Sequence, residues 1–312
     1  MPCFGFAWGF FAHKKINRLA VYTLPPEMIG FYKKNIEFLT EEAVAPDRRR
    51  YAIKDEAPRH FIDLDEFGDS AVYKLPRTWA QALGRYGEDS LMERGVVPWQ
   101  IVRAYNRLKD AMLLYDPEKI LRSSADLGHY VADANVPLHT TSNYDGQLTG
   151  QPGLHAFWES RLPELFFPEY GFFVGKAAYI DNVQGYAWEA VARAHLALDS
   201  VLRFEKRIGG KWGNKKYGFE TRGRQTVKVV SYPYAQAYHL ALGGMVERQM
   251  RRSVKMTGDL WYSAWVDSGQ PDLKKLIGYS PSPEELEARK KELEKWKEHR
   301  YPARAHEGDG NH

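Results

Sequence analysis

The chain has 312 residues, 44% of them hydrophobic and 14% aromatic, with a formal net charge of +4. That is enough apolar material for one large domain with a substantial core, and too little net charge to mark a nucleic-acid binder by bulk electrostatics. The single cysteine, Cys3, excludes an internal disulfide and thiolate zinc sites, so any metal must be held by His, Asp, Glu or backbone. No apolar run approaches the ~20 residues needed to span a bilayer.

The chain opens MPCFGFAWGFF, which is apolar but too short for a complete secretory signal and lacks a basic leading segment. Small residues at Gly5 and Ala7 permit a signal-peptidase cut before Trp8. Residues 1–7 are therefore expected to be the remnant of a signal, and the protein to be secreted or periplasmic; an ordinary apolar arm is the alternative. His13 to Thr23 reads as a helix with Ile16, Leu19 and Ala20 inward. Pro25 and Pro26 end it and open a second helix, striped by Met28, Ile29, Tyr32, Ile36 and Leu39.

Residues 45–69 show no helical period and read as an ordered irregular segment holding Asp47, Arg50, His60 and Asp63. A polar stretch of that length inside a domain is usually functional. Helices are expected over 77–83 and 98–114, from Pro117 onward, and over roughly 182–207, 226–254 and 258–266. The glycine-rich basic stretch 209–224 reads as a mobile surface loop. Its Lys, Arg and Trp212 could contact phosphates, but solvated charge is the expectation. Residues 283–299 form a charged helix with i, i+4 Glu–Lys pairs, and the last dozen residues are expected to be disordered. No repeat or strand pair is evident. The fold class is all-α, a single compact multi-helix bundle with long ordered loops on one side. Residues 8–280 form the main domain and 281–312 the charged helix and tail.

The most informative stretch is Gly128 to Glu159, GHYVADANVPLHTTSNYDGQLTGQPGLHAFWE. His129 and Asp133 share one helix face at i, i+4, and so do His155 and Glu159. Pro137 ends the first helix and swings His139 out of register. Either pair alone is a weak signal, more often a hydrogen-bonded helix pair than a ligand pair. Two pairs flanking Pro-Leu-His are much stronger, because burying so many ionisable groups without compensating charge costs several kcal/mol each. Imidazole with carboxylate suits zinc better than calcium or magnesium. Among the other histidines, His195 and His239 lack carboxylate company and read as structural, while His299, His306 and His312 read as solvated tail residues.

These residues resemble the central motif of the trinuclear-zinc phospholipase C and single-strand nuclease family. The resemblance extends upstream: Trp8-Gly9-Phe10-Phe11-Ala12-His13, Asp47 with Arg50, and His60-Phe61-Ile62-Asp63 look like motifs of the nuclease branch. It covers Trp8 to Glu159, about half the chain, and implies three zinc ions. Asp47, His60, His129 and Asp133 would hold one, and His139, His155 and Glu159 a second. His13, a bridging Asp133 and the free α-amino and carbonyl groups of Trp8 would hold the third. Zinc ions roughly 3.5–4 Å apart can acidify a shared water for in-line attack on phosphorus.

The resemblance further implies that Arg50 stabilises the phosphoryl oxygens, where a planar fork suits a phosphate. Asp63 could orient the attacking water or a ligand, or cap a turn, and Phe61 could stack on a nucleobase, as its counterpart in the nuclease branch does, or pack in the core. Glu159 leans toward the phospholipase branch, since nucleases usually carry Asp there. The stretch Thr-Thr-Ser-Asn-Tyr-Asp-Gly after His139 departs from the nuclease pattern and offers Asn143 and Asp145 as substrate or supporting groups. The leading expectation is a zinc phosphodiesterase, an endonuclease-type hydrolase of single-stranded nucleic acid or 3′-nucleotides. The alternatives are a phospholipase C acting on phospholipid head groups and a non-catalytic helical zinc-binding protein. No obligate protein partner is inferred.

Overall fold

In a computed structural model of the chain, residues 10–222 and 225–304 are described, and helices carry nearly all of their regular structure. The first helix, α1, is Phe10–Ala20. Pro25 stops the turn that follows, and Pro26 starts α2, Pro26–Lys34. The expected single second helix is broken at Asn35, whose side-chain amide donates to the Phe31 carbonyl at 2.9 Å, and resumes as α3, Ile36–Glu42. Residues 45–69 are more regular than their sequence suggests. They contain α4, Ala45–Arg49, and short 3-10 turns at Ala57–His60 and Leu64–Phe67.

Three short helices follow: α5, Ala71–Lys74, α6, Trp79–Tyr86, and α7, Glu88–Arg94. The central pair is α8, Val97–Leu113, and α9, Pro117–Ala134, both with proline in the first turn. Asp116 caps α9 by accepting from the Lys119 N–H. Beyond α9 come α10, Leu154–Ala156, a π-helical turn at Phe157–Arg161, and α11, Leu162–Phe166. The long helix α12 is Val183–Trp212.

The stretch expected to be a mobile loop is instead the end of α12 and the start of an antiparallel hairpin. Its strands are β1, Tyr217–Arg222, and β2, Gln225–Val230, with Tyr217 opposite Val230. The β-branched run in QTVKVV favours a strand, which overrides the helix expected from residue 226. Then come α13, Tyr232–Ala241, and α14, Met245–Asp267. The break expected near residue 255 lies instead at Gly243 and Gly244, both at positive φ, where glycine carries no Cβ penalty. The last helix, α15, is Pro283–Trp296, opened by a Ser282–Glu285 capping box.

The protein is all-α apart from that hairpin. The pair α8 and α9 is flanked by α1, α3, α12 and α14. One core cluster gathers around Trp99, Tyr32 and Trp261. A second, around Trp158, Phe157, Tyr234 and Tyr238, joins the His155 segment to α13. The indole of Trp261 donates to the Ser124 carbonyl at 3.0 Å, so its burial on α9 leaves no N–H unsatisfied. The C-terminal helix belongs to the same packed body: Arg289 pairs with Glu118, Arg122 pairs with Glu292, and Trp296 is buried. Residues 301–304, the first of the dozen expected to be disordered, are packed against the body; the rest of that stretch, with His306 and His312, lies outside the described residues. The Arg300 and Tyr301 N–H groups both donate to the Tyr51 carbonyl at 2.9 Å, and the His299 ring stacks on Tyr51 at 4.6 Å. No helix among the described residues is long and apolar enough to cross a membrane.

Candidate metal centre

Five separate stretches deliver the site: α1 with His13, α4 with Asp47, the 57–60 turn with His60, α9 with His129 and Asp133, and the chain from Pro137 to Arg161 with His139, His155 and Glu159. Two close approaches bring them together. Asn17 of α1 donates its side-chain amide to the Ala125 carbonyl of α9 at 3.1 Å. Its Oδ1 sits where a Cβ on Gly128 would lie, only 1.9 Å away. That contact lets α1 run close enough to α9 for the His13 and His129 rings to stack at 4.0 Å. On the other side Gly95, at φ +86, lies against Phe61; a Cβ there would fall 2.3 Å from the Phe61 carbonyl oxygen. The N–H groups of Val96 and Val97 then bond the carbonyls of Pro58 and Phe61, fixing the turn that carries His60.

The donor atoms form two adjoining sets. In the first, His60 Nδ1 is 3.0 Å from Asp133 Oδ2 and 3.7 Å from Asp47 Oδ1. His129 Nε2 is 3.2 Å from the same Asp133 oxygen and 3.8 Å from Asp47 Oδ1. His13 Nε2 approaches the other Asp133 oxygen at 3.4 Å. In the second set His155 Nε2 and His139 Nε2 lie 3.0 and 3.4 Å from Glu159 Oε2. Asp133 Oδ1 lies 3.6 Å from the His139 ring, so this carboxylate adjoins both sets. His13 packs against Asp47 and His129 as well as Asp133, so the distances do not divide a first ion's ligands from a third's. Trp8 lies outside the described residues, as does the proposed signal remnant.

These residues fit metal ions. Zinc–nitrogen bonds of about 2.0–2.1 Å at tetrahedral angles put two donors about 3.3 Å apart, in the range seen. The tautomers fit too. His129 Nδ1 lies 2.8 Å from the Ala43 carbonyl and His139 Nδ1 2.7 Å from the His60 carbonyl. A carbonyl only accepts, so each Nδ1 carries the proton and each neutral ring aims its Nε2 lone pair at the cluster. The Nε2 atoms of His139 and His155 face one another at 3.0 Å. Lone pairs directed at each other and at carboxylates need positive charge between them. The eight donors are buried, where water cannot supply that screening.

Without a cation, protons take that role. Burial lowers the pKa of His129, but the Asp133 and Asp47 carboxylates outweigh it and hold the ring up at about 9. Burial likewise opposes the charge on Asp47, yet His129, Arg50 and His60 hold its carboxyl down at about 2. Burial also opposes ionisation of Asp133, which His129 and His139 hold well below the usual carboxylate range. His13 is shifted downward by burial and by the neighbouring His129 charge.

The π-helical turn modifies the expected i, i+4 pair. His155 lies within α10 and Glu159 inside the wider turn, with their side chains still 3.0 Å apart. Such single turns recur at functional sites. Asp145 accepts from the backbone N–H groups of Gly153 and His155 at 2.9 and 3.2 Å, pinning the start of α10. Asn143 uses both ends of its amide inside its own loop. It donates to Thr149 Oγ1 at 3.1 Å and accepts from the Leu148 N–H at 2.8 Å.

Arg50 is buried beside the cluster, with Nη1 3.4 Å from Asp47 Oδ1 and its guanidinium over Tyr51. Phe61 and Asp63 are both covered by Arg304. Burial pushes the Asp63 carboxyl up, against the pull of Arg304. His195 accepts a structural place, its Nδ1 3.0 Å from Thr140 Oγ1, and His239 stacks on Phe166 at 4.2 Å.

Sequence reasoning missed Glu56. It is buried behind His60, its Oε1 3.8 Å from His60 Nε2. Tyr130, Arg49 and Arg59 surround it, and the Arg59 guanidinium donates to it at 2.6 Å. Burial opposes its charge, but Arg49, His60 and Arg59 hold the carboxyl at about 2. The only signal in the sequence was its i, i+4 spacing to His60, in a stretch with no helical period. No protein-family model matches the chain, and no curated protein matches it either. What fold and site define is an all-α protein with buried His, Asp and Glu clusters able to hold metal ions.

Proposed function

We propose that the protein is a zinc-dependent phosphoric-ester hydrolase of nuclease type, cleaving single-stranded nucleic acid or 3′-nucleotides. The observation that carries this reading is the convergence of eight His, Asp and Glu donors on adjoining buried sets, with Asp133 adjoining both. Imidazole-rich donor sets favour zinc over calcium or magnesium, and three ions follow from the resemblance that also brings in Trp8. Bound zinc supplies Lewis acidity and lowers the pKa of a coordinated water toward about 7.

The chain's own residues do the rest. Asp47 holds Arg50 beside the cluster, where its fork can take two oxygens of a phosphoryl group as charge develops. Phe61 offers a ring face and Asp63 a hydrogen-bond acceptor to the base next to the scissile ester. The Glu56 carboxylate lies behind His60, 3.8 Å from its Nε2, and acts on the ring through charge. A phospholipase C is the second reading, favoured by Glu159 in place of the Asp that nucleases usually carry.

The test is a parallel assay of zinc-loaded protein on single-stranded DNA, 3′-AMP and phosphatidylcholine. Hydrolysis of the first two, abolished by Asp133→Ala, is expected. Cleavage of phosphatidylcholine alone selects the phospholipase. Zinc-dependent folding with no hydrolysis of any substrate leaves a structural metal protein.

A further inference from the structure

The recess beside the metal centre is already filled, by the chain's own C-terminal segment. The Arg304 guanidinium carbon lies 3.4 Å from the Phe61 ring centroid and 4.7 Å from that of Tyr144. Its Nη2 donates to Asp63 Oδ2. Phe61 and Asp63 follow directly on His60, and the Tyr144 ring meets His155 edge-on at 5.9 Å, so the recess adjoins both donor sets. Tyr51 also ties the segment down. Tyr51 accepts the Arg300 and Tyr301 N–H groups through its carbonyl and stacks on His299. Its hydroxyl donates to the Arg304 carbonyl at 3.5 Å.

Besides a compact cation such as an alkylammonium, a ring face with a carboxylate at its rim accepts a flat π system bearing N–H donors. A guanidinium is such a group, and a nucleobase with amino or imino hydrogens is another. Both cannot occupy the recess together. The Arg304 contact is also incomplete. Its Nη1 and the Oδ1 of Asp63 are buried with no hydrogen-bond partner, so the fork engages the carboxylate through one nitrogen instead of two. Residues 299–301 are exposed along the strap. A carboxylate engaged through one nitrogen is held less firmly than in a two-point fork, so a better-matched group can take the place of Arg304.

We propose that residues 299–304 form an autoinhibitory strap, with Arg304 held in the base recess until an incoming base displaces it. This rests on the nuclease reading for what enters, but the strap's position does not. Apparent affinity for a base is then lowered by the fraction of molecules in which the strap is withdrawn.

The test compares zinc-loaded wild type with Arg304→Ala and Arg304→Lys. The probe is deoxyadenosine, which has no phosphate to hydrolyse, and binding is followed by calorimetry. Arg304→Ala should bind it about tenfold tighter, the factor a cation–π contact and a partly buried ion pair supply together. Arg304→Lys, which keeps the charge but not the planar fork, should fall between. In wild type, deoxyadenosine should speed hydrogen exchange at the Arg300 and Tyr301 amides. Equal or weaker binding by Arg304→Ala, or no binding by any of the three, overturns the strap. Turnover of a single-stranded oligonucleotide is measured alongside. Tighter binding without turnover in any of the three leaves the strap standing and removes the nuclease.

Discussion

Gly128 and Asn17 touch at a distance that no side chain on residue 128 would allow: a Cβ there would lie 1.9 Å from Asn17 Oδ1. Asn17 also donates across the gap to the Ala125 carbonyl, so it cannot swing away without losing that bond. Because His129 is the next residue, the contact sets how closely α1 brings His13 to the cluster. Gly128→Ala should destabilise the protein by about 1–3 kcal/mol, as overpacking does, and weaken zinc binding in the set containing His13. Thermal unfolding with and without zinc, together with a zinc titration, measures both. An unchanged zinc affinity would mean that α1 tolerates displacement and that His13 is not held by this contact.

The metal-free protein should have its own pH window. A histidine held at about 9 contributes stability that is fully present below its unfolded value of 6.5 and is lost as pH rises through 9. An aspartate held at about 2 contributes stability present above its unfolded value of 3.8, which fades as pH falls toward 2. Metal-free protein should therefore be most stable between about pH 4 and 6.5. With zinc the alkaline side should reverse between pH 6 and 8, since the ligands must lose protons to bind metal. Denaturant midpoints against pH, with and without zinc, give the comparison. A flat metal-free profile from pH 6.5 to 9 would contradict the ion pairing of His129 with Asp133 and Asp47.

Glu56 makes no direct claim on a metal but faces His60 from behind. Glu56→Gln should reduce zinc affinity by up to about tenfold, the low end for a supporting partner, because it removes the charge behind His60 without breaking a direct hydrogen bond. Asp126→Asn is the control. Asp126 pairs with the same Arg49 but is not the carboxylate that faces His60, so its loss should change zinc affinity far less. Competition against a chromophoric chelator reads both. Equal losses in the two variants would assign the effect to Arg49 instead of His60.

Asp145 pins the backbone of Gly153 and His155. Asp145→Ala should loosen the set of His139, His155 and Glu159 while leaving the set around His129 intact. The expected titration shows the tightest zinc binding unchanged and a second phase weakened or missing. Uniform weakening of all phases would argue that Asp145 supports the whole loop and not this set.

The sequence by itself determined which donors were available and that the chain would be helical. The i, i+4 pairs on α9 and around α10 are local facts, because a helix repeats every 3.6 residues whatever surrounds it. Pro25, Pro26 and Pro117 likewise marked helix starts through their own ring geometry. The strand pair 217–222 and 225–230 replaces an expected loop to 224 and helix from 226, because glycine and lysine content suggests a loop while a strand needs a partner segment that local pattern does not name. Only the tertiary structure decided that α1, α4, the 57–60 turn and α9 meet, through contacts such as Asn17 with Gly128 and Phe61 with Gly95. It alone placed Glu56 behind His60 and Arg304 over Phe61. Neither relation leaves a period or spacing in the chain to be read, since each depends on surfaces far apart in sequence being packed at one distance.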